Sequence, residues 1–277
     1  MILWLASYPK SGNTWMRALL SCYLFDKYHK KNQDVFSKMK LIKSFPIKSA
    51  FKGIVEEDDL KKDKMKLFKY FIKAQEKINK DPKLHIIKTH NFCGSTADSE
   101  FTNKKNTIGS IYIVRDPRAV AVSYAHHARI SYEESVRLMM SESRISVHDK
   151  YYPEARLSWK THLLSWLSYP SPRLLIRYED MLADTAGILR STINFINQFI
   201  KIKIEIDEKK ISKVVEECKF DKLQKLENKI GFDEKKNNPN NFFRKGKTNE
   251  WQEVLSEELT TKLTEKFSSE MKKLNYI

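Results

Sequence analysis

The sequence predicts an α/β fold, a single domain over residues 1–277 with a central, mainly parallel sheet flanked by helices and a P-loop-like strand–turn–helix junction after its first strand. Three observations lead there. Short apolar runs recur at Ile2–Ser7, Leu84–Lys88, Ser110–Val114 and Leu174–Arg177, each with the length and continuity of a buried strand. Stretches with apolar residues near helical spacing follow three of them, at Thr14–Tyr28, Pro117–Ile130 and Asp184–Phe199. Strands alternating with helices favour a parallel sheet covered on both faces, and 277 residues with 41% hydrophobic content supply core enough for one such domain.

Each element has a local reason. Pro117 suits a first helical turn, where its missing N–H lacks a partner in any case. Segment Lys43–Lys83 is charged and reads as helical in part, over Asp58–Lys80, as a cover for the carboxyl edge of the sheet. Asn237-Asn238-Pro239-Asn240-Asn241 is a turn-rich loop leading into Phe242-Phe243-Arg244-Lys245-Gly246, and Ser256–Leu274 reads as a closing helix. There is no internal repeat and no low-complexity linker.

The 51 basic residues exceed the 35 acidic ones, giving a net charge of +16. That balance suits an anionic partner such as nucleic acid, phospholipid or a phosphorylated cofactor. A solvated lysine-rich surface explains the scattered runs of Lys27–Lys43 and Lys61–Lys88 equally well. Cys22, Cys93 and Cys218 are odd in number and far apart, without ligand spacing, so they are expected to be reduced, partly buried thiols rather than a disulfide framework or zinc site. The apolar run Ile2–Ala6 is too short for a signal or an anchor, so no membrane span and a cytoplasmic location are expected.

The first chemical signal lies in Ser7-Tyr8-Pro9-Lys10-Ser11-Gly12-Asn13-Thr14-Trp15, a strand end, a tight loop and a helix start. Such a junction aims unpaired backbone N–H groups and the positive end of a helix dipole at one point, where a phosphate or sulfate is well placed. Ser11, Asn13 and Thr14 add polar donors, Gly12 permits close approach and Lys10 adds a mobile charge. Lysine precedes the only glycine, so this is not a Walker A loop. Plain N-capping without a ligand suits the same residues, and the segment alone leaves both readings open.

Tyr8-Pro9-Lys10-Ser11-Gly12-Asn13-Thr14-Trp15 resembles the 5'-phosphosulfate motif of sulfotransferases that use 3'-phosphoadenosine 5'-phosphosulfate (PAPS), with Asn13 where the family usually has threonine. The motif begins almost at residue 1, earlier than in eukaryotic cytosolic members, which implies that part of their acceptor pocket is absent or rebuilt. Further stretches extend the likeness over most of the chain. Ser110–Ser123 is similar to the 3'-phosphate motif, in which Arg115 and Ser123 would hold the ribose phosphate, an arginine fork and a hydroxyl about two helical turns apart. Arg244-Lys245-Gly246 with Trp251 resembles the late motif that closes over the same phosphate, with Asn249 in place of a second glycine and expected to take its left-handed backbone. Lys88-Thr89-His90 matches the family's Lys-Thr-His, which implies His90 as general base. Tyr178 in Arg177-Tyr178-Glu179-Asp180 would contact the adenine, with Trp15 and Phe220 on its faces, although both aromatics also suit a core. Ser158–Trp166 resembles a family helix in which His162 reads as packing rather than chemistry.

The resemblance implies in-line transfer of a sulfuryl group from PAPS to a hydroxyl of a small-molecule or glycan acceptor, leaving adenosine 3',5'-bisphosphate (PAP). Lys10 and Lys88 would stabilise charge on the transferred and leaving groups, and no metal is expected. A P-loop nucleotide kinase is disfavoured by the loop order and by the absence of a magnesium aspartate. A nucleic-acid-binding protein would leave the ordered motifs unexplained. The acceptor is not written in any motif. Its pocket would come from Ser44–Lys83, Phe92–Thr107, Ile130–Arg156, with its lid-like Tyr132, Met139, Met140, Tyr151 and Tyr152, and Gly231–Phe243. The family's short dimerisation motif is not recognisable after Trp251, so the oligomeric state stays open.

Overall fold

In the computed structural model every residue of Ile2–Ser7 is buried, as expected of a strand covered on both faces. The structure describes residues 1–25, 34–56, 63–148, 151–235 and 241–277. Among them the strands are β1 (Ile2–Ser7), β2 (His85–Thr89), β3 (Ser95–Thr96), β4 (Ser99–Glu100), β5 (Thr107–Val114), β6 (Ile145–His148), β7 (Tyr151–Ala155) and β8 (Arg173–Arg177). The main sheet has the order β2-β1-β5-β8, while β3-β4 and β6-β7 form separate antiparallel pairs. β1 is parallel to β2 on one side and to β5 on the other, with Ala6 opposite Thr89 and Tyr112. The four apolar runs of the sequence are thus the four strands of this sheet.

The chain divides into two compact units. The first (Met1–Pro9, Ile42–Val114, Leu138–Ile176) contains the sheet. Its core is aromatic: the Trp4 ring centroid lies 4.9 Å from that of Phe101, 5.8 Å from that of Phe45 and 6.4 Å from that of Trp166. Trp166 belongs to helix Trp159–Ser168, whose start is capped by the Ser158 hydroxyl accepting from the Thr161 N–H. Phe71 opens helix Phe71–Asn79, which continues a tighter 3-10 turn over Lys64–Tyr70, the described part of the expected Asp58–Lys80 helix.

The second unit (Lys10–Leu41, Arg115–Arg137, Arg177–Ile277) is largely helical. Helix Asn13–Leu24 buries Met16, Leu19 and Leu20, and the last residues of the expected Thr14–Tyr28 helix lie outside the described residues. Helix Pro117–Ala128 has proline at its start and stops two residues short of the expected Ile130, because Arg129 takes a left-handed conformation. The expected Asp184–Phe199 helix is Thr185–Asn197, capped by Asp184. The expected Ser256–Leu274 helix breaks at the fully buried Phe267 into Glu257–Lys266 and Ser268–Lys273. Helices Glu208–Glu217 and Phe220–Ile230 were not anticipated; lysine and glutamate dominate them and only narrow apolar stripes face inward. Among the described residues no helix is long and apolar enough to cross a membrane. All three cysteines are free and buried, with the sulfurs of Cys22 and Cys218 3.9 Å apart.

Candidate functional site

In the second unit, the turn after Pro9 is built on two left-handed residues, Lys10 (φ 68°) and Gly12 (φ 101°). A methyl group added at Gly12 would sit 2.5 Å from Cδ2 of Tyr178, so the absent side chain is what lets the tyrosine ring lie against the loop. Helix Asn13–Leu24 starts immediately afterwards without a side-chain cap, which leaves its first N–H groups available to an anion. The Ser11 hydroxyl is fully buried in this turn and makes no hydrogen bond to any protein group.

Arg115 joins the distant motifs. One of its terminal nitrogens donates to the Lys10 carbonyl at 3.1 Å and the other to the Lys247 carbonyl at 2.8 Å, while the guanidinium lies 4.3 Å from the Tyr178 ring centroid. Its Nε is buried without a protein partner. Two buried donors at this turn, the Ser11 hydroxyl and the Arg115 Nε, are therefore open to an oxyanion. Trp15 stands edge-on to Tyr178 with centroids 6.0 Å apart and donates its indole N–H to the Cys218 carbonyl. Gly246 (φ 66°) bears on Phe220, where an added methyl would come within 2.7 Å of the ring. An open concavity of about 330 Å³ is lined by Lys10, Ser123, His126, His127, Lys235, Asn241, Phe242 and Arg244. The Lys10 ammonium lies 4.0 Å from the Phe242 ring centroid.

Several of the expected ligands are already engaged by carboxylates that the sequence reading missed. Glu250 binds both Arg244 and, at 2.8 Å, Lys245. Burial alone would raise the Glu250 carboxyl, but hydrogen bonds from these two cations bring it down to about 2. Glu234 accepts from the Thr14 hydroxyl at 3.1 Å and pairs with Arg17. Neither acid stands at a spacing that a helix or strand period would flag. Two other expectations change. Asn249 is not among the left-handed residues; its carbonyl instead accepts from the Gln252 N–H and starts the turn Trp251–Val254. Trp251 packs beneath Arg118, whose guanidinium carbon is 3.9 Å from the ring centroid.

In the first unit, the β1–β2 register brings the end of β1 beside the residue that follows β2. His90 consequently meets Ser7, and its Nδ1–H donates to the Ser7 carbonyl at 2.8 Å. That bond leaves Nε2 as the ring's proton acceptor. Burial first, then the Lys88 charge, holds the imidazole well below the usual pKa of 6.5, against the raising effect of the Ser7 carbonyl. Lys88 is fixed by its backbone, which donates to the Lys43 carbonyl and accepts from the Phe45 N–H. In the segment proposed as an acceptor lid, Met139 is fully buried and belongs to the core, and the Tyr152 ring stacks on Phe51 with centroids 5.3 Å apart.

A family model described as a sulfotransferase domain matches residues 2–275. The chain is 28% identical over 270 residues to flavonol 3-sulfotransferase of Flaveria bidentis, covering 94% of this chain and 78% of that protein. It is 27% identical over 271 residues to cytosolic sulfotransferase 17 of Arabidopsis thaliana, covering 93% and 70%. Among solved structures it resembles a mouse sulfotransferase complexed with PAP, with a TM-score of 0.63 and 20% identity over 97% of this chain and 83% of the other. The α/β fold with a central parallel sheet is therefore that of the sulfotransferases, and with the family model spanning residues 2–275 this chain belongs to the sulfotransferase domain family.

Proposed function

We propose that this sulfotransferase takes its sulfuryl group from PAPS, holds the nucleotide in the second unit, and uses His90 to accept the proton of an acceptor hydroxyl. The observation that carries the donor assignment is Arg115. This one side chain ties together the Lys10 loop, the segment after Gly246 and the Tyr178 ring, and it keeps a buried donor unsatisfied. When bound, PAPS supplies an activated sulfuryl group whose S–O bond to the 5'-phosphate is the one that breaks.

The residues divide the remaining tasks. The N–H groups of Ser11–Thr14 and the Ser11 hydroxyl bind the 5'-phosphate at the helix start. Arg115, Ser123 and the Arg244–Gly246 clamp bind the 3'-phosphate, with the clamp exchanging its Glu250 carboxylate for phosphate oxygens. Tyr178, Trp15 and Phe220 form apolar walls for the adenine. His90 Nε2 takes the hydroxyl proton, and Lys10 and Lys88 stabilise the negative charge that develops during transfer. The catalysis comes from positioning and charge stabilisation, as in phosphoryl transfer. The single-domain organisation over residues 1–277 and a hydroxyl-bearing small molecule or glycan as acceptor belong to the same proposal.

The test is to incubate the protein with PAPS and panels of phenols, alcohols, sterols and sugars in the presence of EDTA, and to measure PAP release. Acceptor-dependent release unaffected by the chelator is expected. Turnover abolished by EDTA and restored by magnesium, or phosphoryl transfer from ATP instead, would contradict it.

A further inference from the structure

His162 has no part in the proposed chemistry, yet it is fully buried and both of its ring nitrogens are committed within the first unit. Nε2 lies 3.2 Å from the His90 carbonyl, an acceptor only, so Nε2 carries the proton. Nδ1 then accepts from the Tyr112 hydroxyl at 2.8 Å. The backbone of Tyr8 in turn hydrogen-bonds the Tyr112 oxygen, and the Tyr8 ring stands edge-on to His162. The next residue along the loop is held from the same helix, because the Trp166 indole N–H donates to the Asn91 carbonyl at 2.9 Å. The Asn91 side-chain oxygen accepts from the Ala155 N–H, anchoring the loop to β7.

We propose that His162 is a positioning residue for the transfer reaction: a neutral imidazole, oriented by Tyr112, whose Nε2–H fixes the His90 backbone so that the His90 ring keeps its bond to the Ser7 carbonyl and presents Nε2. The inference rests on the reading of His90 as the base. His90 is then restrained at two points, its ring from β1 and its carbonyl, through His162, from β5. Any buried imidazole needs partners for both nitrogens, and here the partner of Nε2 is the backbone of the proposed base. Burial holds His162 neutral, with its pKa lowered to about 3, so the arrangement persists across the pH range in which a base of this kind works.

The experiment compares His162→Ala, His162→Gln and His90→Ala. A glutamine amide carries an acceptor and a donor side by side and can replace both imidazole contacts. In His162→Ala, kcat should fall by about 10²-fold, the order expected for a catalytic group misplaced by about 1 Å, while PAP affinity measured by calorimetry stays at the wild-type value. His162→Gln should recover most of that loss. The His90 resonance, followed by NMR against pH in the nucleotide-free protein, should titrate at higher pH in His162→Ala. The groups facing His90 are Lys88, Arg156 and His162, and those facing His162 are His90, Tyr8, Tyr112, Arg156 and Glu154; only burial of the His90 ring and the His162 contact change in the variant. Wild-type kcat, or an unmoved His90 titration, in His162→Ala would overturn the proposal. If that variant does not fold, Tyr112→Phe keeps the buried ring and removes only the orienting hydroxyl; a reduced kcat with a raised His90 titration supports the proposal, and wild-type values for both refute it. Wild-type turnover in His90→Ala would instead remove the reading of His90 on which the inference rests.

Discussion

At His90 the orientation of one ring decides what the residue can do. With Nδ1–H bonded to the Ser7 carbonyl, Nε2 is the basic nitrogen, and it serves as a base only while the ring is neutral. Burial and the Lys88 charge lower the pKa from 6.5, so protonation of the folded protein occurs at a lower pH than for a free imidazole. If His90 is the base, activity is present above that lowered pKa and is lost as pH falls through it. The acid limb of kcat/KM should therefore lie below pH 6.5, with no decline between neutral pH and that value; half-loss at or above 6.5 would contradict the assignment. His90→Ala should lower kcat by about 10²–10⁴-fold and leave PAP affinity intact by calorimetry, because the residues proposed to hold the nucleotide all belong to the other unit.

At the scale of elements, the tight turn between Pro9 and helix Asn13–Leu24 makes a demand on glycine that a second glycine can calibrate. Gly12 and Gly231 both have positive φ, but Gly231 has open space where its side chain would be and Gly12 has the Tyr178 ring. Gly231→Ala should show only the backbone strain, about 1–3 kcal/mol. Gly12→Ala should add displacement of Tyr178, so it should both melt lower than Gly231→Ala and bind PAP more weakly; equal nucleotide affinity in the two variants would dissociate Tyr178 from the site. The sheet itself was legible in the sequence because buried parallel strands are continuous apolar runs, which is how Ile2–Ser7 and Ser110–Val114 stand out. The tight turn and helix start at Lys10–Trp15 were legible too, since strand end, glycine turn and helix follow one another in one local stretch. Glu250 and Glu234 were not, because an acid that meets a cation through a loop leaves no periodic trace. The break at Phe267, whose ring is fully buried, was equally invisible, and Asn249 opens a local turn to Gln252 that its place in the motif does not disclose.

For the whole molecule, the excess of basic residues contributes a diffuse field that favours anions, whereas the selective part of the account rests on a few placed groups. Arg115 already bridges two backbone segments, and Ser123 and Arg244 line one concavity with Lys10. All of these lie in the second unit, although Arg115 and Arg244 are far apart in sequence. If they bind a 3'-phosphate, a nucleotide lacking it forgoes those hydrogen bonds and leaves the buried Arg115 Nε without a partner. Charge-assisted hydrogen bonds contribute roughly 1.5–3 kcal/mol each, so the loss of two weakens binding by about 10²-fold or more. The central claim is tested most directly by calorimetry of the unmodified protein with PAP and with AMP at one ionic strength, repeated with the double variant Arg115→Ala, Ser123→Ala. The account predicts a preference for PAP of about 10²-fold or more, mostly erased in the double variant while weak AMP binding at the Lys10–Thr14 turn persists. Equal affinity of the unmodified protein for the two nucleotides would contradict it.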